Sequence, residues 1–219
     1  MLTDRILFAD AEAIVIDKPA GLAVTRPKRG GDCLEDRLSE LRMSFARDPM
    51  IVHRLDRDTS GCLLLARNPK ALRRFNRSFE EGIVRKTYWA VLNGALSDET
   101  GIIDLPLAKR STRERGWWVE PDPKGKLART HWTKLAIAAG RTLVEFCPET
   151  GRTHQLRVHA RNGLGVAISG DPVYGDGDGP MLLHAVALFV PREGKPAIDA
   201  HALLPDTFGR WDIPDHAAS

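Results

Sequence analysis

The chain has 219 residues, of which 42% are hydrophobic and 28% are charged, and its formal net charge is +3 at pH 7. These values are ordinary for a soluble globular protein whose length permits one domain with a sizeable core. No apolar run is long enough to cross a membrane, and three widely spaced cysteines predict neither a disulfide framework nor a zinc site. A cytoplasmic location with reduced thiols is therefore expected. The mildly basic balance permits, without requiring, binding to nucleic acid.

The first fifty residues predict short strands, a turn and one helix. Apolar runs at Ile6–Phe8 and Ala13–Ile16 are typical of a β-hairpin. The segment Lys18–Gly21, which reads Lys-Pro-Ala-Gly, is a turn. Leucines at helical spacing then predict a helix over about Leu34–Phe45.

A dense polar turn follows at Ile51–Gly61, which reads Ile-Val-His-Arg-Leu-Asp-Arg-Asp-Thr-Ser-Gly. The apolar residues Cys62–Ala66 continue from it without a break and predict a buried strand. Protein scaffolds commonly display reactive groups on turns of this kind. Asp56 is flanked by two arginines, so its carboxylate is expected to stay ionised. From these residues alone, a solvated, salt-bridged turn is the other interpretation.

The next segments predict a helix and an alternating strand. Asn68–Gly82 has asparagine at the capping position, proline at the first helical position and glycine at the end. The exposed face of this helix is basic, and it either keeps the helix soluble or contacts phosphate. Lys86–Asn93 alternates as a strand, with Tyr88 on one face and Trp89 on the other.

A polar and basic excursion at Lys109–Arg129 predicts a long hairpin, which follows a predicted strand at Gly101–Leu107. Two tryptophans, Trp117 and Trp118, lie inside it. Such an arm either grips a nucleic acid by charge and stacking or folds back to bury the tryptophans.

The remaining half predicts more strands and one further helix. His131–Ala138 and Thr142–Phe146 are typical of a strand pair, and Leu182–Val190 of a final core strand. Thr153 is expected to cap a helix over about His154–Asn162. Many strands with few helices, out of regular alternation, indicate an α+β protein.

Nine residues of the polar turn, His53–Gly61, resemble the signature of the RluA-type pseudouridine synthases, which convert uridine in structured RNA into its C-glycoside isomer. Further segments resemble the same family in the same order, and the resemblance extends from about residue 17 to about residue 208: Lys86–Tyr88, Gly101–Leu107, Thr150–His159, Gly170–Gly175 and Leu182–Ala185. The resemblance implies an α+β isomerase with a large, mostly antiparallel mixed sheet, flanking helices and a central catalytic cleft. It also implies a single catalytic domain over residues 1–219, either undivided or two-lobed. No separate N-terminal accessory RNA-binding domain and no cofactor are expected.

The resemblance implies catalytic roles for three side chains. Asp56 is the catalytic residue, and it either attacks the sugar C1′ or removes a ribose proton. Tyr88 stacks on the target base and assists removal of the C5 proton. Arg157 pairs with Asp56 and keeps it ionised and oriented. An arginine in the first turn of a helix opposes the helix dipole, which is a further reason to expect a nearby anion.

The resemblance also implies substrate contacts, and the expected partner is a stem-loop of ribosomal or transfer RNA. Arg54 fills the gap left when the target nucleotide leaves the helical stack. The other implied contacts are Arg152 and His154, which either bind phosphate or orient Arg157, and Leu182 and Leu183, which either form the floor of the uracil pocket or belong to the core. No membrane and no obligate protein partner are expected, and the chain is expected to be a monomer.

Two other classes of protein fit part of the sequence. His154, His159, His184 and Asp171 suggest a metal-dependent hydrolase, but a five-residue spacing does not place the first two on one helix face. A non-catalytic RNA-binding module explains the basic segments, but it has no need for the intact signature together with Tyr88 and Arg157. One departure from the family pattern stands at Pro180-Met181, where the family commonly has an arginine, and this affects the expected details of RNA binding.

Overall fold

The computed structural model describes residues 1–27, 30–114 and 116–213. Its strands are β1 (Ile6–Ala9), β2 (Ala13–Lys18), β3 (Met50–Ile51), β4 (Ser60–Ala66), β5 (Arg85–Leu92), β6 (Thr100–Asp104), β7 (Leu107–Thr112), β8 (Gly116–Pro121), β9 (Arg129–Ala138), β10 (Arg141–Pro148), β11 (Leu183–Val190) and β12 (Ile198–His201). The α-helices are α1 (Pro69–Glu80) and α2 (Gln155–Val158); α2 continues as a π-helical segment at His159–Gly163, and 3₁₀ segments lie at Leu2–Arg5, Leu34–Leu41 and Asp206–Phe208. The described residues fold into two compact units: one lies within Met1–Lys86 and His184–Leu203, and the other lies within Thr87–Leu183 and residues 204–213.

The first unit is built around the predicted apolar strand β4. This strand pairs antiparallel with β2 and β3 and parallel with β11, and every one of its residues is buried. The apolar run that follows the signature turn (His53–Gly61) is therefore a buried strand, as expected. The parallel contact requires glycine at position 61, because a Cβ there would lie 2.3 Å from the carbonyl oxygen of Ala185 and the backbone φ is +104°.

Helix α1 begins as its sequence predicts. The Asn68 side chain accepts a hydrogen bond from the Ala71 amide at 2.9 Å, and Pro69 occupies the first helical position. Phe75 lies in the core of the first unit. On the basic face, Arg74 and Arg77 are paired with glutamates, so their charge is partly neutralised.

The second unit contains an antiparallel run in the order β5, β10, β9 and β6. The predicted alternation of β5 is confirmed by two clusters of apolar side chains. Ala90 and Leu92 are buried in one, against which Tyr88 packs, while Val91 is buried in the other, against which Trp89 packs. The expected α+β class is confirmed: the β-structure is mixed and mostly antiparallel, and the helices are few.

Strands β7 and β8 form the predicted long hairpin, with Leu107 opposite Pro121 and Thr112 opposite Gly116. Arg115, which belongs to the basic arm in the sequence, lies outside the described residues. The two tryptophans are neither fully exposed nor fully buried. Trp117 is 45% exposed, and the indole nitrogen of the half-buried Trp118 donates to Glu120 at 2.9 Å.

Three local predictions are wrong in detail. The helix expected over Leu34–Phe45 is a 3₁₀ helix that ends at Leu41. Helix α2 begins at Gln155, and its N-cap is His154 rather than Thr153. The strand predicted over Leu182–Val190 is not the final one, because β12 follows β11 and pairs with it. In the described part of the chain, no helix is long and apolar enough to cross a bilayer.

Candidate active site

Asp56 lies in a tight turn of the first unit, between the pairing partners β3 and β4. The amide of Thr59 donates to the carbonyl oxygen of Asp56 at 3.2 Å. Leu55 and Thr59 are buried, whereas Asp56 is half-buried. The turn is thus anchored on both sides of a carboxylate that keeps access to solvent, which is what a reactive group on a rigid scaffold requires.

The buried side chain of Lys18 connects this turn to the segment that follows Lys18, the Lys-Pro-Ala-Gly turn. Its ammonium donates to the carbonyl oxygens of Pro19, Leu22 and Arg57 at 2.8, 2.9 and 3.0 Å. Burial lowers the pKa of Lys18 to about 8, while the negative charges of Asp58, Asp56 and Asp17 act in the opposite direction. The Lys-Pro-Ala-Gly turn is predicted from the sequence, but this role of Lys18 is not.

His53 is the first residue of the signature turn, and its side chain stabilises the turn. Its Nε2 accepts the amide hydrogen of Leu64 at 3.0 Å, and its ring stacks on Phe79 with the centroids 4.7 Å apart. A ring that accepts at Nε2 is neutral and carries its proton on Nδ1. Burial, with a contribution from the positive charge of Lys86, lowers the pKa of His53 to about 3.

This depressed pKa makes the first unit sensitive to acid. Between about pH 6.5 and pH 3, an unfolded chain protonates His53 while the folded chain does not, so the free energy of unfolding should fall with falling pH. One proton gives a slope of ~1.4 kcal/mol per pH unit. Urea unfolding of wild type and His53→Gln across this window measures the difference, and equal slopes in the two proteins would contradict the assignment.

Arg157 has a buried carboxylate partner within the second unit. Its Nε and Nη2 donate to the two carboxylate oxygens of Asp171, each at 2.7 Å, and both side chains are almost inaccessible to solvent. Burial alone would raise the pKa of Asp171, but the hydrogen bonds and charge of Arg157 hold it below its usual value. The sequence presents Asp171 as a candidate metal ligand and as part of the Gly170–Gly175 family segment, but it does not predict this pair. The expected pairing of Arg157 with Asp56 stays a prediction.

The segment before Arg157 is held by hydrogen bonds from neighbouring loops. The Gln155 side chain accepts from the Thr150 hydroxyl and the Arg152 amide, and it donates to the Arg129 carbonyl and the Thr130 hydroxyl. These contacts explain how α2 begins without a side-chain cap. Nε of the exposed Arg152 donates to the Leu127 carbonyl at 2.9 Å.

His154 contacts the side chain of Tyr174. Its Nδ1 lies 2.9 Å from the Tyr174 hydroxyl. The ring nitrogens of His159, which was part of the same metal hypothesis, bond Thr130 and Leu105. Among the described residues, no three acidic, histidine or cysteine side chains lie close enough together to hold a metal ion.

The two predicted leucines belong to different clusters. Leu183 is buried in the cluster against which Tyr88 packs, and Leu182 is buried with Val91 and Phe208 in the other. The second unit therefore brings Leu183, but not Leu182, into the cluster beside Tyr88. In the first unit, the predicted Arg54 is exposed.

Comparison with solved structures gives the class of protein. A human structure described as RNA Pseudouridylate Synthase Domain Containing 4 matches with a TM-score of 0.80 at 28% identity, covering 94% of this chain and 91% of its own. A human Domain Containing 1 structure matches with a TM-score of 0.75 at 28% identity, covering 91% of this chain and 82% of its own. The fold is thus that of an RNA-modifying isomerase.

Comparison of sequences gives the family. Residues 12–162 match the family model for RNA pseudouridylate synthase. An uncharacterized RNA pseudouridine synthase of Zymomonas mobilis is 55% identical over 95% of this chain and 97% of its own length. Ribosomal large subunit pseudouridine synthase C of Vibrio cholerae is 36% identical over 91% of this chain, and the match spans 65% of that relative. The chain belongs to the RNA pseudouridylate synthase family, and it is an isomerase of the RluA type.

Proposed function

We propose that the chain isomerises a uridine in a stem-loop of large-subunit ribosomal RNA, or of transfer RNA, with Asp56 as the catalytic residue. The observation that carries this proposal is the signature turn, in which Asp56 is half-buried and the backbone around it is fastened by the ammonium of Lys18. Ribosomal RNA is favoured because the Vibrio cholerae relative is named for the large ribosomal subunit.

The chemistry requires a carboxylate and a place for a detached base. The N1–C1′ bond breaks, the uracil turns over, and C5 bonds to C1′; the C5 hydrogen leaves as a proton and N1 gains one. Asp56 either bonds C1′ or removes a ribose proton, and both roles need its ionised form. Tyr88 offers a ring face for stacking and a hydroxyl for proton transfer.

The remaining predicted residues act on the carboxylate or on the RNA. Arg157 orients Asp56, and its guanidinium is always charged. Arg54 enters the stack in place of the extruded nucleotide. The roles of Arg152 and His154, which bind phosphate or orient Arg157, and of Leu182 and Leu183 beneath the uracil follow from the family resemblance.

The cellular setting is part of the same proposal. We place the chain in the cytoplasm as a monomer, acting through a single catalytic domain over residues 1–219 without an obligate protein partner or a cofactor. Transfer RNA is the second candidate substrate, because a small catalytic domain suits a short stem-loop that is recognised by shape.

Tritium release tests the proposal. Transcripts of large-subunit ribosomal RNA and of transfer RNAs are made with uridine tritiated at C5, and each is incubated with the purified chain. Release of tritium to water, together with a pseudouridine mapped to one stem-loop, is the expected result. A chain that retains RNA on a filter but releases no tritium from either transcript is an RNA-binding module, and the proposal then fails.

A further inference from the structure

The hairpin β7–β8 is seated on the segment that carries Arg157. The buried hairpin residues Leu107 and Val119 form one cluster with Ala128 and with Val158, the residue after Arg157, and Tyr174 packs against this cluster. Because Lys109 pairs with Val119 and Ser111 with Trp117, the side chains at 107, 109, 117 and 119 share this face of the hairpin. One face of the hairpin therefore packs against α2.

A continuous series of contacts joins the outer part of this face to Arg157. The ring of Trp117 lies 4.8 Å from that of His154, centroid to centroid, and the His154 ring meets the edge of Tyr174 at 5.6 Å. The Arg157 guanidinium carbon lies 5.2 Å from the Tyr174 ring centre. Asp171, which grips Arg157, also accepts the backbone amide of Tyr174 at 3.1 Å.

Hydrogen bonds give this series a fixed geometry. The Val119 amide donates to the Tyr174 hydroxyl oxygen at 2.9 Å, so the hydroxyl proton is available to Nδ1 of His154, also at 2.9 Å. A second observation comes from the backbone: His154 has a φ of +53°, a left-handed conformation that a residue other than glycine rarely adopts. Such a conformation persists where surrounding contacts hold it, and it is common at functional sites.

The outer part of the hairpin carries features suited to RNA. Lys109 places its ammonium 4.3 Å from the centre of the Trp117 ring, and Trp117 itself is 45% exposed. An ammonium and an indole that both reach solvent can meet a phosphate and a base. The series thus runs from a surface that suits RNA to the guanidinium assigned to Asp56.

We propose that Tyr174 and His154 are positioning residues that couple the hairpin β7–β8 to Arg157, so that RNA held at Trp117 fixes the orientation of the Arg157 guanidinium. This inference rests on the proposed function, because it gives Arg157 a part in the reaction. Neither His154 nor Tyr174 needs to touch the reacting atoms. Their effect is on the rate at saturation as well as on RNA binding.

A double-mutant cycle tests the coupling. Single-turnover tritium release from a large-subunit ribosomal RNA transcript gives a maximal rate constant and a half-saturating protein concentration for wild type, Trp117→Ala, Tyr174→Phe and the double variant. Each single change should lower the maximal rate constant about tenfold, and the double change should lower it no further, because both break one link. Independent effects would multiply to about a hundredfold, and that result, or a change confined to half-saturation, overturns the coupling.

Matched variants separate coupling from damage to the fold. Trp118→Ala removes the adjacent indole, whose strand position faces the other side of the hairpin, and it should leave the maximal rate within about twofold. Equal slowing by Trp118→Ala and Trp117→Ala would overturn the inference. Trp117→Phe retains a ring beside His154 and should restore most of the rate. If Tyr174→Phe does not fold, His154→Asn takes its place in the cycle, since asparagine tolerates a positive φ.

The outcome for the coupling is distinct from that for the proposed function. A wild-type chain that releases tritium, combined with effects that multiply, leaves the proposed function intact and removes only the coupling. A wild-type chain that releases none from any transcript overturns both.

Discussion

Replacing Asp56 with asparagine should abolish tritium release from uridine-labelled RNA. An amide cannot bond C1′ or take up a ribose proton as a carboxylate does, so the expected loss in rate is at least about 10³-fold, as for other enzymes that lose a nucleophile or its base. RNA affinity should change by less than about threefold, because the substitution keeps the size of the side chain. Single-turnover release and filter binding measure the two quantities separately.

Asp58→Asn is the matched control, since Asp58 is a half-buried carboxylate two residues further along the same turn. Both aspartates contribute negative charge near Lys18, so a general weakening of the turn would affect the two variants alike. We expect Asp58→Asn to retain turnover. Normal turnover by Asp56→Asn would show that another group performs the reaction.

Among the substitutions described, replacing Asp171 with asparagine should lower the free energy of unfolding most. The substitution removes the negative charge of a carboxylate that accepts two hydrogen bonds from Arg157, and both side chains are buried. Arginine does not lose its proton in proteins, so its buried charge loses that compensation. Removal of one partner from a buried ion pair costs about 3–5 kcal/mol, and urea unfolding at neutral pH measures the loss.

An exposed ion pair provides the comparison. Arg77 and Glu81 lie one helical turn apart at the end of α1, and both are open to solvent. Glu81→Gln should leave the unfolding midpoint unchanged, because exposed pairs contribute little. If Asp171→Asn also left the midpoint unchanged, the buried pair would not hold the segment around Arg157, and the basis for the positioning role of Tyr174 would weaken with it.

Contacts between distant residues were the part that the sequence could not predict. Lys18 stands 39 residues before Arg57, and nothing local indicates that its ammonium bonds the Arg57 carbonyl. Arg157 and Asp171 are 14 residues apart, across a loop whose path no periodicity describes. Asp171 had a local signal, because it belongs to the Gly170–Gly175 segment shared with the family, but that signal named no partner.

The start of α2 likewise depends on contacts that the local sequence does not predict. The sequence predicted a helix at this point, and a helix is present. The prediction placed a threonine cap before His154, whereas His154 itself adopts a left-handed backbone conformation and α2 begins at Gln155. Hydrogen bonds from Gln155 to Thr130 and to the Arg129 carbonyl set this boundary, and a local capping rule contains no term for them.

The sequence by itself determined the family, the signature turn around Asp56, the Asn68 cap of α1, the two faces of β5 and the long hairpin. These features depend on residues that are close together in the chain, through capping, alternation and a contiguous motif. Only the tertiary structure decided that Lys18 holds the signature turn, that Asp171 holds Arg157, and that Tyr174 and His154 connect Arg157 to the hairpin. Those contacts depend on which distant segments meet when the strands pair and the core closes, because most buried polar groups form hydrogen bonds with the groups that the fold brings near them.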